Sequence, residues 1–204
     1  MIKVYFAKDL KIEDNELDEN LIKYNISNIN VLKERIIKNK LIDFALKEER
    51  VSSNIIKNEF GKPYFENNEL FFNVSHTNDY VLFAISKDEI GVDVEDLNRY
   101  KNNKSKLDRI KSRICNSFDF EEEKKGSSII RIWTIKEAFL KCIGLGLVDD
   151  INDIFIDYDN HIINYKGWKN YHFHTFTYDT YQIAIVLMNE FDEIDVKFIE
   201  YEYK

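Results

Sequence analysis

The sequence predicts a mixed α/β fold with two related halves, and three kinds of pattern indicate it. Several short runs alternate apolar and polar residues, which is typical of half-buried strands. Two longer stretches, near residues 31–47 and 129–143, repeat apolar residues at helical spacing. Residues 80–85 and 181–186 are similarly apolar, and each run follows a polar turn. Such a repeated pattern suggests that the two halves share one plan.

The first half is predicted to begin with a strand over residues 2–6, where the residues alternate. A helix is predicted near 31–47, because its apolar residues share one face: Leu32, Ile36, Ile37, Leu41, Phe44 and Ala45. Pro63, the only proline, marks a turn in residues 61–64. Three further strands are predicted at 70–74, 80–86 and 90–95, with a polar turn at 75–79.

The second half is predicted to begin after a boundary in the charged and polar stretch 96–112. We therefore divide the chain into residues 1–97 and 98–204. A long helix is expected over 129–143, because Gly144 follows its last apolar residue and is a helix stop signal. From residue 154 onward the pattern alternates repeatedly, which predicts mostly antiparallel strands.

Composition narrows the class of protein. A hydrophobic share of 44% in 204 residues predicts a folded globular chain, and a formal net charge of −8 argues against a nucleic-acid partner. No apolar run is long enough to span a membrane, and residues 1–10 lack the pattern of a signal peptide. Cys115 and Cys142 form neither a CxxC pair nor a disulfide framework. We therefore expect a cytoplasmic protein without a membrane or nucleic-acid partner.

Two acidic residues, Asp93 and Glu95, lie at i and i+2 in the predicted strand 90–95. On a strand both side chains point to one face, about 7 Å apart along the chain. Their charges repel each other unless a cation or strong donors lie between them. A metal site would explain this pair, and a solvated strand face would explain it equally well.

The predicted helix 129–143 carries a row of functional residues. Trp133, Glu137 and Lys141 are spaced by four and so lie on one helical face. An exposed Glu–Lys pair is the simpler interpretation, but the large aromatic side chain suggests a partly buried face, where ionised groups need partners. Asp93, Glu95 and Glu137 together would suit magnesium or manganese, since both cations prefer oxygen ligands and substrate phosphates. Lys141 would add a positive charge for the same phosphates.

Three other groups of polar residues have alternative interpretations. Ser75 and His76, at the end of a predicted strand, could contact a phosphate or could simply belong to a turn. His172 and His174 share one strand face and could bind a metal, but no matching ligands stand nearby in the sequence. The charged residues 121–125 are most simply a solvated segment.

Several motifs occur in a fixed order along the chain. They are Gly-Lys-Pro at 61–63, Asn-Val-Ser-His at 73–76, Gly-Val-Asp-Val-Glu at 91–95, Trp-Thr-Ile-Lys-Glu-Ala-Phe-Leu-Lys at 133–141 and Gly-Leu-Gly-Leu at 144–147. This order resembles the 4′-phosphopantetheinyl transferases, in particular the larger surfactin-synthetase-activating type. The resemblance implies a monomeric pseudo-dimer of two similar halves. Each half would be an antiparallel sheet packed against a long helix, with the active site between the halves.

The resemblance also implies a reaction. Such enzymes use magnesium and coenzyme A and transfer the phosphopantetheine arm to a serine of an apo acyl or peptidyl carrier protein, releasing adenosine 3′,5′-bisphosphate. By position, Asp93, Glu95 and Glu137 would hold the metal, and Glu137 would also be the base. Lys141 would contact the pyrophosphate and Lys136 would lie at its edge.

The remaining site residues also follow from the resemblance. Ser75 and His76 would contact the phosphates of coenzyme A, with His76 at the 3′-phosphate. Lys62 and Pro63 would border the adenine. In the N-terminal helix, Arg35 is the match for a basic residue that the family carries there. Asp119 stands where the family commonly has a glutamate, and is one methylene shorter.

Two other functions remain open from the sequence: a metal-dependent phosphohydrolase or nuclease, and a non-catalytic protein that binds coenzyme A or a carrier. Acyl carrier proteins generally present an acidic recognition helix, which fits poorly with a net charge of −8. A local basic strip made of Lys101, Lys104 and Lys106 would resolve this conflict.

Overall fold

A computed structural model of the chain describes residues 2–8, 12, 17, 21, 23–24, 26, 28–77, 80–146, 150–190 and 196–200, with only the backbone for 168–170 and 196–200. The first described part contains β1 (Ile2–Lys8), α1 (Ile29–Glu48), β2 (Ile55–Lys57), β3 (Pro63–Phe65), β4 (Phe71–Thr77), β5 (Tyr80–Ser86) and β6 (Ile90–Asp96). There follow a 3₁₀ turn (Leu97–Arg99), α2 (Lys104–Ile114), α3 (Ser117–Lys124), α4 (Ile129–Ile143) and a second 3₁₀ turn (Ile151–Asp153). The last elements are β7 (Phe155–Asp157), β8 (Ile162–Tyr165), β9 (Trp168–Tyr178), β10 (Tyr181–Leu187) and β11 (Val196–Glu200).

The described strands form two sheets and a short ribbon. The first sheet has the order β11-β1-β5-β4, the second has the order β6-β10-β9-β8-β7, and β2 pairs with β3 in the ribbon. Only the β1–β11 pairing is parallel among these described strands. The mixed α/β class and the antiparallel strands are therefore confirmed.

The two sheets stack face to face, and a helix covers the outer face of each. In β5, Leu82 and Ala84 point into the core between the sheets, while Val81 and Phe83 pack against α1. Strand β10 shows the same division, since alternate residues face the core between the sheets or α4. Both strands are buried on both faces, which explains why their sequences are continuously apolar.

Helix α4 has the bounds that the sequence predicts, because both of its ends are marked. The Ser128 side chain accepts a hydrogen bond from Arg131 N, and Gly144 ends the helix in the left-handed conformation, at φ 72°. The stretch 96–112, predicted as a boundary, instead contains a 3₁₀ turn and the start of α2. The predicted turn at 75–79 is wrong for residues 75–77, which belong to β4, and residues 78–79 lie outside the described chain.

The two sheets meet where the edge strands β4 and β6 lie side by side. Here two side chains of β4 bind the backbone of β6. Asn73 Oδ1 accepts a hydrogen bond from Val92 N at 2.9 Å, and Ser75 Oγ accepts one from Val94 N at 3.3 Å. This junction fixes the register of the two strands and brings Ser75 beside Asp93.

Candidate active site

Asp93, Ser75 and Lys141 form a closely bonded cluster at this junction. Asp93 Oδ1 accepts hydrogen bonds from Ser75 Oγ at 2.8 Å and from Lys141 Nζ at 2.6 Å. Lys141 Nζ also donates to Ser75 Oγ at 2.8 Å. Asp93 is only 5% exposed, so these charges interact with little screening by water. The structure thus joins one residue from each of β4, β6 and α4.

Gly91 allows α4 to lie directly on β6. A Cβ atom at this position would come within 2.0 Å of Ala138 O and 2.4 Å of Cys142 N. No side chain larger than hydrogen can fit there without moving the helix. The close approach brings Glu137 and Lys141 next to Asp93. Trp133, Glu137 and Lys141 are each partly buried, which confirms the expectation of a partly buried row.

Glu95 is held by two donors at the edge of the cluster. Trp133 Nε1 donates to Glu95 Oε1 at 3.0 Å, and Tyr100 OH donates to Glu95 Oε2 at 2.8 Å. Burial and the bond to Glu95 raise the pKa of Tyr100, so the phenol remains a donor. Tyr100 was not predicted from the sequence, although it is the single aromatic residue in the polar stretch 96–112 after β6.

Glu137 lies in surroundings that oppose its charge. Burial and the neighbouring Asp93 carboxylate raise its pKa to about 7, although Lys141 acts in the opposite direction. Among the described residues, Glu137 Oε1 and Asp93 Oδ2 are buried carboxylate oxygens without a hydrogen-bond partner. Buried polar atoms are normally paired, so two such oxygens in one cluster indicate a site for a cation or another donor.

The carboxylate oxygens are chemically suited to a metal ion, but their positions suit one only in part. Oxygen donors of this type fit magnesium or manganese, and the unpaired oxygens of Asp93 and Glu137 are available to one. Both oxygens of Glu95 already accept a hydrogen bond. Within the described ranges, no group of three or more His, Cys, Asp or Glu side chains is arranged so that it could hold a metal ion. His172 and His174 on β9, the predicted histidine pair, therefore have no third ligand of these types among the described residues.

A cleft of about 590 Å³ includes His76, which follows Ser75 of the cluster in β4 and is close enough to sense the charges of Lys141 and Asp93. It is lined by residues from α1, the β2–β3 ribbon and β4, namely Tyr24, Lys38, Asn39, Ile42, Asp43, Ile55, Lys57, Gly61, Pro63, Phe72, Val74 and His76. His76 Nε2 lies 3.1 Å from Glu34 Oε1. Burial lowers the pKa of His76, and the Lys38 and Lys141 charges act in the same direction while Glu34 opposes them. The sequence-predicted Pro63 and His76 therefore share one cleft.

Three sequence-predicted contacts have other surroundings in the structure. Lys136 is fully buried, and its Nζ donates to Asp119 Oδ2 and to Ile114 O, each at 2.6 Å. Lys62 Nζ donates to Cys142 O at the end of α4. The Arg35 guanidinium lies 4.1 Å from the centre of the Tyr24 ring.

Lys38 and Lys57 are basic residues of the cleft that the sequence analysis missed. Lys38 follows Glu34 by one helical turn in α1, at the edge of the buried face, so helical register could have identified it. Lys57 lies in a strand of three exposed residues, and no sequence pattern distinguishes it from other surface lysines.

Part of the chain is similar to known proteins. The model of the 4′-phosphopantetheinyl transferase superfamily matches residues 89–186. The 4′-phosphopantetheinyl transferase gsp of Aneurinibacillus migulanus is 33% identical over 111 residues, which are 50% of this chain and 42% of that protein. A Haemophilus influenzae protein, provisionally named a 4′-phosphopantetheinyl transferase, is 27% identical over 112 residues, or 52% of this chain and 47% of that protein.

A Synechocystis protein with the same provisional name is 33% identical over 104 residues, or 48% of this chain and 42% of that protein. The chain thus spans less than half the length of these curated relatives. The superfamily match includes β6 and α4, which carry Asp93, Glu95, Glu137 and Lys141. Over residues 89–186, the chain is therefore similar to the 4′-phosphopantetheinyl transferase superfamily.

Proposed function

We propose that the chain transfers the 4′-phosphopantetheine arm of coenzyme A to a serine of an apo acyl or peptidyl carrier protein, releasing adenosine 3′,5′-bisphosphate. The observation that supports this most directly is the cluster of Asp93, Lys141 and Glu137. It lies beside an open cleft and contains two unpaired buried carboxylate oxygens.

The cleft would receive the nucleotide part of coenzyme A. Its volume of about 590 Å³ suits a small-molecule ligand, and Lys38 and Lys57 supply positive charge for phosphate groups. His76 would donate a hydrogen bond to the 3′-phosphate. Lys38, rather than the sequence-predicted Arg35, would be the basic residue of α1 that contacts this phosphate. Pro63 and Gly61 would border the adenine. Ser75 and Lys141, at the junction of the sheets, would meet the pyrophosphate.

Magnesium, or manganese, is the metal that we propose for this site. Asp93 and Glu137 would supply their unpaired oxygens, and Glu95 would lie beside them in the orientation set by Trp133 and Tyr100. When bound, such an ion neutralises negative charge on the pyrophosphate.

In the proposed reaction, the oxygen of the carrier serine attacks the phosphorus next to the pantetheine arm. The bond from that phosphorus to the oxygen of the nucleotide phosphate breaks, and its electron pair leaves with adenosine 3′,5′-bisphosphate. Glu137 accepts the serine proton, as a carboxylate oxygen without a partner in the cluster can do. The Lys141 ammonium stabilises the charge that develops on the leaving phosphate.

We also propose that residues 1–97 and 98–204 are the two halves of a pseudo-dimer, and that the chain acts as a cytoplasmic monomer. One chain supplies β4, β6 and α4, so the cluster needs no second copy. Both cysteines are free and buried, as suits a reducing compartment. No described helix is both long and apolar enough to cross a membrane. Sedimentation of the purified protein would test the monomer.

The function is tested by incubating the protein with coenzyme A, magnesium and a panel of apo acyl and peptidyl carrier proteins. We expect the mass of a carrier to increase by that of the phosphopantetheine arm, and a carrier whose acceptor serine is replaced by alanine to stay unmodified. Failure to modify any carrier in the panel would contradict the proposal. Hydrolysis of coenzyme A without a carrier would instead indicate a phosphohydrolase.

The Glu137→Gln variant separates the two roles of this residue. Glutamine keeps an oxygen that can contact a metal but cannot accept the serine proton. We expect the variant to bind coenzyme A in the presence of magnesium and to lose activity by orders of magnitude. A variant with full activity would refute the assignment of the base.

A further inference from the structure

The tip of the β2–β3 ribbon is bound to the last turn of α4. Lys62 Nζ donates to Cys142 O at 2.5 Å, and Asn58 Nδ2 donates to Gly144 O at 3.2 Å. The last carbonyls of a helix have no partner within the helix, and a lysine there is favoured by the helix dipole. The two side chains therefore satisfy carbonyls that would otherwise depend on water.

The tip is also internally ordered. Asn58 Oδ1 accepts hydrogen bonds from Lys62 N at 2.8 Å and from Phe60 N at 3.0 Å. The contact with the helix is close, since a Cβ atom at Gly144 would lie 2.9 Å from Lys62 Cδ. Gly144 has a positive φ, so glycine is favoured there for its conformation as well.

The same ribbon forms one wall of the cleft. Ile55 and Lys57 of β2, and Gly61 and Pro63 around the tip, all line it. Helix α4, to which the tip is bound, carries Glu137 and Lys141. The bonds of Asn58 and Lys62 therefore link the wall of the cleft to the helix of the reacting groups, across 86 and 80 residues of sequence.

We propose that Asn58 and Lys62 are positioning residues, which hold the nucleotide wall of the cleft at a fixed distance from Glu137 and Lys141. The idea rests on the proposed function, since it takes the cleft as the site of coenzyme A. Lys62 then does not contact the substrate itself. Its ammonium is bound to Cys142 O, so it affects the binding of coenzyme A only by holding the ribbon against α4. Asn58 carries no charge, yet it binds the same helix end and has the same role.

The test compares Lys62→Met, Asn58→Ala and the double variant with Lys87→Met, an exposed lysine in the turn between β5 and β6. Hydrogen–deuterium exchange on the ligand-free protein is the first measurement. We expect amides of the tip and of the last turn of α4 to exchange about tenfold faster in each single variant, because a lost hydrogen bond of this kind contributes about 1–2 kcal/mol. Lys87→Met should match the wild type.

Kinetics with an apo carrier is the second measurement. We expect KM for coenzyme A to rise roughly fivefold to tenfold in both single variants, with KM for the carrier unchanged. KM for coenzyme A in the double variant should be hardly higher than in either single variant, because both hydrogen bonds hold the same contact. Lys62→Arg, which keeps a donor, should restore most of the affinity.

Two results would overturn the proposal. One is unchanged exchange at the end of α4 in both single variants. The other is a higher KM in Lys62→Met together with a wild-type KM in Asn58→Ala, which would mean that Lys62 binds coenzyme A directly. If the wild type modifies no carrier, the proposed function fails, while the exchange experiment still decides whether the contact holds the helix.

Discussion

Glu137 is the residue at which the structure adds most to the sequence. Its charged neighbours are two acidic groups, Asp93 and Glu95, and two basic groups, Lys141 and Arg113, and its Oε1 is buried. Burial and the Asp93 charge raise its pKa to about 7, whereas an exposed glutamate titrates at 4.5. The ionised side chain therefore destabilises the folded protein. Residues that destabilise the fold in this way are often retained because they are needed for function.

This raised pKa predicts how stability changes with pH. Below a pH of about 4.5 the carboxyl is protonated in both the folded and the unfolded chain, so it contributes nothing. Between 4.5 and 7 the unfolded chain ionises first, and the folded state loses roughly 3 kcal/mol relative to it. We expect Glu137→Gln, measured by thermal unfolding in EDTA, to match the wild type at pH 4 and to melt several degrees higher at pH 8. If the wild type became more stable relative to the variant as the pH rises, the raised pKa of Glu137 would be contradicted.

At the scale of elements, a buried ion pair joins α3 to α4. Asp119 Oδ2 accepts from Lys136 Nζ, and Asp119 Oδ1 accepts from Tyr158 OH at 2.8 Å. We expect Lys136→Met alone to cost about 3–5 kcal/mol, because it leaves a buried carboxylate without its counter-ion. The Lys136→Met/Asp119→Asn double variant should recover more than half of this loss in urea unfolding.

Activity in that double variant tests the role that the resemblance gives to Lys136. If Lys136 acts only in this ion pair, the double variant should keep transferase activity within a few-fold of the wild type. A loss of activity with recovered stability would show that Lys136 does reach the pyrophosphate.

Gly91 sets the distance between α4 and β6. Replacement by alanine would place a methyl group against the helix backbone, 2.0 Å from Ala138 O, so the helix must move. We expect Gly91→Ala to cost about 3 kcal/mol in urea unfolding and to abolish most activity, since Lys141 would move away from Asp93. Gly126→Ala is the control. It meets no atom within 4 Å, and its positive φ costs only about 1–2 kcal/mol. Equal losses in the two variants would argue against the close packing.

Local patterns predicted α1, α4, most of the longer strands and one side of the site. The bounds of α4 follow from its helical spacing, Ser128 and Gly144, and the row of Glu137 and Lys141 follows from the same register. Helix α2 was missed because charged side chains surround its narrow apolar stripe, formed by Leu107, Ile110 and Ile114. The ion pair of Lys136 and the contact of Lys62 with α4 join segments that are distant in sequence. No local spacing encodes such contacts.

Across the whole molecule, the proposed site lies where the two sheets meet. Strand β6 follows β5 in sequence but pairs with β10, and β11 follows β10 but pairs with β1. Each sheet thus contains a strand from the other side of residue 97. This exchange ties both sheets together, and the junction of β4 with β6 places Ser75 against Asp93. The site therefore depends on the fold of the entire described chain rather than on one half.

Charge distribution is the remaining property of the whole molecule, since a net charge of −8 repels an acidic carrier. Helix α2 is an exception to this negative charge, because it carries five basic residues and a single acidic one, Asp108. The basic residues are Lys104, Lys106, Arg109, Lys111 and Arg113. Its start lies near the site. Lys106 Nζ is 4.4 Å from the centre of the Tyr100 ring, and Tyr100 binds Glu95. We therefore propose that the predicted basic strip contacts the acidic helix of a carrier.

Charge reversal in this strip should weaken the binding of the carrier and leave the binding of coenzyme A unchanged. Lys104 is exposed and begins α2, where a glutamate suits the helix dipole, so Lys104→Glu should not impair folding. At low salt we expect KM for the carrier to rise about fivefold, and the difference from the wild type to shrink as salt screens the charges. Lys87→Glu makes the same change of net charge away from α2. If it raised KM for the carrier equally, only the overall charge would matter, and α2 would have no special role in docking.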